Sequence, residues 1–113
     1  SPALGLKFCT DCFSQMGADV EKEIRYFGGL GKIYLVDFRN IRGTVDNFHE
    51  TFLDNGQEDM LALMCALKQS GFDGPINPDH AVRITGDGPE GRQYWAHAIG
   101  YMRALMQAAE RFC

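Results

Sequence analysis

The sequence predicts an α/β fold: three consecutive βα units with parallel strands, forming one βαβαβα segment over residues 1–113. Three observations carry that expectation. Short apolar runs alternate with longer helical patterns in the order β-α-β-α-β-α. Buried strands alternating with helices imply right-handed crossovers between parallel neighbours. The composition, 45% hydrophobic and 23% charged over 113 residues, is that of one globular domain with a modest core.

Leu4-Gly5-Leu6-Lys7-Phe8 is a mostly apolar run ending at Cys9 and reads as the first strand. Asp19 is placed to cap the first helix, where Val20, Ile24 and Phe27 recur at i, i+4 and i+7, and Gly28-Gly29 ends it. Ile33-Tyr34-Leu35-Val36 is β-branched and aromatic, the second strand, and runs into Asp37-Phe38. A long polar stretch follows from Arg39 to Gln57. Between Glu58 and Ser70, Met60, Leu63, Met64 and Leu67 form one helical stripe, with Gly71 as the stop. Prolines keep Gly74-Pro75-Ile76-Asn77-Pro78 extended, the third strand. A glycine-rich loop, Thr85 to Gly91, leads into a last helix from about Arg92 to Arg111, with Trp95, Ala98, Ile99, Met102, Leu105, Met106 and Ala109 on its apolar face. A parallel sheet needs both faces covered, and one helix per strand gives either a small three-layer sheet or a piece of something larger. A closed (β/α)8 barrel takes about 250 residues, so this length matches between three and four of its units.

Charge and hydropathy exclude other classes. Eleven Lys+Arg against fifteen Asp+Glu give a net charge of −4, and no basic block exists to follow a nucleic-acid backbone or an anionic membrane. Apolar stretches of four or five residues are far too short to span a bilayer. Ser1-Pro2-Ala3-Leu4 shows neither the charged nor the apolar region of a signal peptide, which leads to the expectation of a cytoplasmic protein. The four cysteines, Cys9, Cys12, Cys65 and Cys113, do not resemble a staple framework, so free thiols in a reducing compartment are expected. Cys9-x-x-Cys12 has the spacing of a redox pair or of half a zinc site, but no second half follows.

The chemistry-bearing residues fall at strand ends. The first strand ends in Cys9. The second ends in Asp37, with Arg39 and Asn40 just beyond. The third ends in Asp79-His80. In a parallel sheet these ends share one edge, where α/β folds place their sites. A thiol, a carboxylate and a carboxylate–imidazole pair gathered there can hold a divalent metal, and mixed S/O/N donors suit Mn2+, Fe2+, Co2+ or Zn2+ better than Ca2+. Each residue also has a plain structural reading. Cys9 is a small buried hydrophobe, Asp37 and Arg39 are a loop ion pair, Asp79 caps a turn, and His80 is structural. Cys12 and Cys65 read as inert thiols. The methionine stripes read as core, and His49 and His97, away from strand ends, are weaker candidates than His80.

Five motifs together resemble one family. Gly5-Leu6-Lys7-Phe8-Cys9, Ile33-Tyr34-Leu35-Val36-Asp37-Phe38-Arg39-Asn40-Ile41-Arg42-Gly43, Phe52-Leu53-Asp54-Asn55-Gly56, Pro78-Asp79-His80 and Ala98-Ile99-Gly100-Tyr101-Met102-Arg103 resemble, in order and spacing, the C-terminal part of mannonate dehydratases. The resemblance implies a (β/α)8 barrel beginning here at what would be strand six. It implies dehydration of D-mannonate to 2-dehydro-3-deoxy-D-gluconate with a divalent metal, Mn2+ or Fe2+, in hexuronate breakdown. It implies Cys9 and Asp79 as metal ligands, His80 and Tyr94 as acid and base, and Arg39, with Asn40 beside it, as substrate-binding residues. The family has His-Phe-Arg where this chain has Asp37-Phe38-Arg39; aspartate still offers oxygen to a metal and tilts the site toward harder cations. The expected partners are a small sugar acid, and either further copies of the chain or the missing barrel portion. Two other functions stay open, a xylose-isomerase-like isomerase or epimerase segment and a βα scaffold without catalysis.

Overall fold

A computed structural model describes all 113 residues. Strand β1 (Leu6–Cys9) leads directly into helix α1 (Thr10–Gln15), and α2 (Val20–Gly29) returns the chain to β2 (Ile33–Asp37). A hairpin, β3 (Asn40–Thr44) and β4 (Asn47–Thr51), and a 3-10 turn (Leu53–Asn55) precede α3 (Met60–Gln69). Strand β5 (Ile76–Asn77) and the long α4 (Arg92–Phe112) complete the chain. The parallel sheet has the order β1-β2-β5. The α/β class and the three parallel βα units are therefore as the sequence predicts.

Two additions lie outside the predicted pattern. The stretch from Arg39 to Gln57 contains the β3–β4 hairpin, which forms its own two-stranded antiparallel sheet. Its strands carry mostly polar side chains, so they lack the apolar alternation that marks a half-buried strand. Gly43 makes the hairpin possible: at φ +107° a side chain is strained, and a Cβ there would lie 2.1 Å from the Asn47 carbonyl oxygen. The second addition is α1, six residues whose N-terminus is capped by the Cys9 sulfur, which accepts from the Cys12 N–H at 3.4 Å.

The predicted cap at Asp19 holds: its Oδ1 accepts from Lys22 N at 3.1 Å. Helix α3 starts at Met60, inside the expected Glu58–Ser70 span, and Asp59 caps it, Oδ1 accepting from Ala62 N at 3.0 Å. Replacing Asp59 by Ala is expected to lower stability by about 1 kcal/mol in chemical denaturation, whereas Asp59→Asn should fall within about half of that loss.

The helices share one core with one face of the sheet. Phe8 and Val36, register partners, are fully buried among Ile24, Leu63, Leu67, Ala98 and Met102. A register slip between Leu6 and Lys7 sets the phase of β1 on β2. Beyond it, Lys7 pairs with Leu35 and Cys9 with Asp37, on the opposite face from Phe8 and Val36. Asn77, partner of Asp37, belongs to that second face, while Ile76 packs on the core. The result is two layers, with helices on one side only, and both outer strands, β1 and β5, have a free edge.

One cysteine expectation is corrected. Cys65 on α3 and Cys113 at the end of α4 are joined as a disulfide, with Cα atoms 5.7 Å apart. Packing of α3 on α4 brings them together across 48 residues, a proximity that cysteine spacing alone does not reveal. Cys9 and Cys12 remain free thiols. No helix is long and apolar enough to cross a membrane.

Candidate functional site

The site is organised around the buried guanidinium of Arg39, two residues past the end of β2. Phe38, fully buried, fixes the chain on the core, so Arg39 turns toward the C-terminal ends of the strands. Thr10, the first residue of α1, clamps its backbone. The Thr10 hydroxyl accepts from Arg39 N at 2.8 Å and donates to Arg39 O at 2.6 Å. The end of β1 and the end of β2 are thereby locked together through main chain.

The guanidinium meets a ring of partners. Nη2 lies 2.9 Å from Asp11 Oδ2 and donates to Cys9 Sγ at 3.2 Å. Nη1 donates to Glu50 Oε1 at 2.5 Å and touches His80 Nδ1. Nε faces Asp79 Oδ2 at 3.5 Å. Burial pulls the Arg39 ionisation downward, but the bond to Cys9 and the charges of Cys9, Asp11 and Glu50 outweigh it, so the net shift is upward. Asp11 itself is fully buried and is held by Gln15 Nε2 at 2.5 Å.

Asp79 and His80 arrive from the far side of the sheet. Asp79 is the one non-glycine residue with left-handed backbone, at φ 63°. Asp and Asn tolerate that conformation better than other side chains, and strained residues of this kind collect at functional sites. His80 is more than half exposed; its Nδ1 sits 2.6 Å from Glu50 Oε1 and its Nε2 3.5 Å from Asp79 Oδ2.

Tyr94 closes the cluster from the first turn of α4. Asp87 Oδ2, in the glycine-rich loop, accepts from its N–H at 3.2 Å, and its ring packs on Phe52 at 5.9 Å between centroids. Burial pushes the phenol up, the Glu50 and Asp79 charges add to the shift, and Arg39 opposes it. Tyr94 therefore keeps its proton throughout the neutral range. Because the folded state favours the neutral phenol, its stabilising effect is complete below the usual tyrosine value and is lost only as pH rises through the elevated one.

Two predicted residues stand apart from the ring. Asp37 is buried, with Oδ2 2.9 Å from Lys7 Nζ and Oδ1 accepting from Asn77 Nδ2 at 3.1 Å. Hydrogen bonding and charge from Asp37 raise Lys7, burial opposes them, and Asp79 and Cys9 add to the rise. The loop ion pair between Asp37 and Arg39 is thus replaced by one across the strands. Asn40 commits its amide to the backbone: Nδ2 donates to Leu53 O and Glu58 O, and Oδ1 accepts from Ile41 N and Glu58 N. The Cys12 thiol is pushed up to about 11, first by desolvation and then by its hydrogen bond with Cys9, which leaves it protonated and a poor redox nucleophile.

Sequence reasoning missed Asp11, Glu50, Thr10 and Lys7. Thr10 and Asp11 directly follow Cys9, and a window of two residues past each strand end would have included them. Glu50 lies in the unforeseen hairpin, where no local pattern marks it.

The donor set tests for a cation. Four carboxylates, Asp11, Asp37, Glu50 and Asp79, face two permanent cations, Lys7 and Arg39. Two buried polar atoms, Asp11 Oδ2 and Arg39 Nε, lack an aligned hydrogen bond within the chain. No three of its His, Cys, Asp or Glu side chains converge closely enough to enclose a metal alone. The excess of carboxylates over cations is compatible with a bound cation only if further ligands come from outside this chain. A cavity of about 610 Å3 lined by the loop from Ala81 to Gly91 contains none of these residues.

Charged side chains gathered past the C-terminal ends of parallel strands, with one helical layer behind the sheet, define a segment of an α/β fold of the class that places its sites at that edge. The family model described as D-mannonate dehydratase (UxuA) matches residues 1–113. Mannonate dehydratase 2 of Halalkalibacterium halodurans is 33% identical over 115 residues, covering 96% of this chain and 33% of that protein. Mannonate dehydratase of Thermotoga neapolitana is 32% identical, over 92% of this chain and 33% of that protein. The crystal structure of mannonate dehydratase from Streptococcus suis serotype 2 superposes with a TM-score of 0.83 at 25% identity, over 95% of this chain and 33% of that one. The chain belongs to the mannonate dehydratase family, and it spans about a third of the length of these relatives.

Proposed function

We propose that the full-length protein is a hydro-lyase that converts D-mannonate to 2-dehydro-3-deoxy-D-gluconate and water, and that this chain supplies part of its reacting side chains. The observation that carries the reading is the ring around Arg39: Cys9, Asp79 and His80 come from two different strand ends to one guanidinium, and Tyr94 feels the same charges. Cys9 and Asp79 would hold a divalent cation, Mn2+ or Fe2+, and Asp37 would add a third donor once its pair with Lys7 opens. When bound, that cation polarises the substrate carboxylate, which stabilises the negative charge that develops as the C2 proton leaves. Arg39 adds its positive charge beside the same carboxylate. His80, at the exposed lip, takes the proton from C2. That C–H electron pair becomes the C2=C3 bond as the C3–O bond breaks. Tyr94, held protonated by burial, donates to the departing hydroxyl, which leaves as water; the enol then becomes the ketone. Asn40 acts on the substrate through the 53–58 loop that it pins.

The rest of a (β/α)8 barrel would cover the free edges of β1 and β5 and the exposed apolar side chains Leu4, Ile99 and Phe112. An enzyme of hexuronate breakdown, assembled as a homo-oligomer, fits this reading.

The test is full-length protein incubated with Mn2+ and D-mannonate, with 2-keto acid formation as the readout. Tyr94→Phe is expected to lower kcat by about 10^2- to 10^4-fold while leaving the thermal midpoint nearly unchanged. Cys9→Ala should remove the rise in midpoint that Mn2+ gives the wild-type protein. Absence of keto acid from the wild-type protein with either Mn2+ or Fe2+ would overturn the reading.

A further inference from the structure

We propose that Lys7 is a built-in competitor for the metal: its ammonium occupies the Asp37 carboxylate and must be displaced before Asp37 can serve as a ligand. The inference rests on the reading above, and it concerns this chain's own residues. Lys7 and Cys9 are two residues apart on β1, so both side chains lie on the sheet face away from the helices. Lys7 Nζ is 2.9 Å from Asp37 Oδ2, and the other carboxylate oxygen takes the Asn77 amide at 3.1 Å. Both oxygens of this buried carboxylate are therefore engaged, while Lys7 remains largely exposed and free to swing out.

The consequence is a trade. A divalent cation near Cys9 and Asp79 meets a like charge from Lys7, and it gains the Asp37 oxygen only if the ion pair opens. Moving the flexible four-carbon arm into solvent is easy, because the ammonium is readily hydrated there. Lys7 thus lowers the affinity of the site for cations without being a ligand, and it holds Asp37 in place when the site is empty. Asp37 alone would leave a buried negative charge without a partner, which is costly.

The experiment is calorimetric titration of metal-free full-length protein with Mn2+ alone, in wild type, Lys7→Met, Asp37→Asn and the double variant, with Lys7→Gln as the second uncharged version. Expected is a dissociation constant at least ten-fold tighter for Lys7→Met and Lys7→Gln, and loss of that gain when Asp37→Asn is added. Mn2+ affinity that depends on Cys9 but stays within two-fold when Lys7 is replaced would overturn the competitor role and leave the metal reading intact. So would an unchanged Mn2+ affinity with a raised KM for mannonate, which makes Lys7 a substrate anchor instead. Failure of the wild type and of every Lys7 variant to bind Mn2+ overturns both.

Discussion

Replacing Arg39 by Met is expected to destabilise the fold by about 3–5 kcal/mol and to abolish activity of the full-length protein. The reason is what remains behind. Asp11 is fully buried, and the guanidinium is its only ion partner. Without Arg39 that carboxylate must either stay charged and unpaired or take up a proton. The second route makes the loss smaller at acid pH than at neutral pH, so the destabilisation should shrink as pH falls from 7 toward the ordinary carboxylate range. Chemical denaturation at pH 7 and pH 4 measures both. Arg39→Lys is not a rescue. One ammonium cannot reach Asp11, Cys9, Glu50 and Asp79 as the five-donor guanidinium does. Arg39→Met with Asp11→Asn should recover more than half of the lost stability and none of the activity. Equal stability of Arg39→Met and wild type would show that Asp11 is solvated after all.

How much of this was legible beforehand depended on how local the cause was. The helix cap at Asp19, the β-branched run of β2 and the stripe of α3 are set by neighbours within four residues, and they appear where the sequence places them. The gathering of Cys9, Asp79 and His80 was legible too, because parallel strands of one sheet must end on one edge. What stayed hidden is long-range or polar. The β3–β4 hairpin buries little, so its strands carry no apolar period, and Glu50 was lost with it. The Cys65–Cys113 contact depends on how α3 lies against α4. The Lys7–Asp37 pair depends on a register slip at Leu6 that no residue type announces. Charge partners are chosen by that register, so the sequence could nominate Asp37 but not say which cation would take it.

Asp79 separates backbone from charge, and three substitutions read the two independently. At φ 63° a β-branched side chain is strained by about 1–2 kcal/mol, whereas Asn and Gly sit there without that strain. Asp79→Asn is therefore expected to keep stability close to wild type. It removes a negative charge from Arg39, from His80 and from the proposed cation, so kcat/KM should fall by about 10^3-fold, the roughly 4 kcal/mol of charge stabilisation that such a centre supplies. Asp79→Gly should match the Asn variant in activity and equal or exceed it in stability. Asp79→Val should lose both. Activity that survives in Asn and Gly but not in Val would mean that the position serves to turn the chain after Pro78, and Asp79 would leave the ligand set. Loss of Mn2+ binding in the Asn variant at unchanged thermal midpoint would fix the role on the carboxylate, since a turn residue with its backbone preserved has no other way to release a metal.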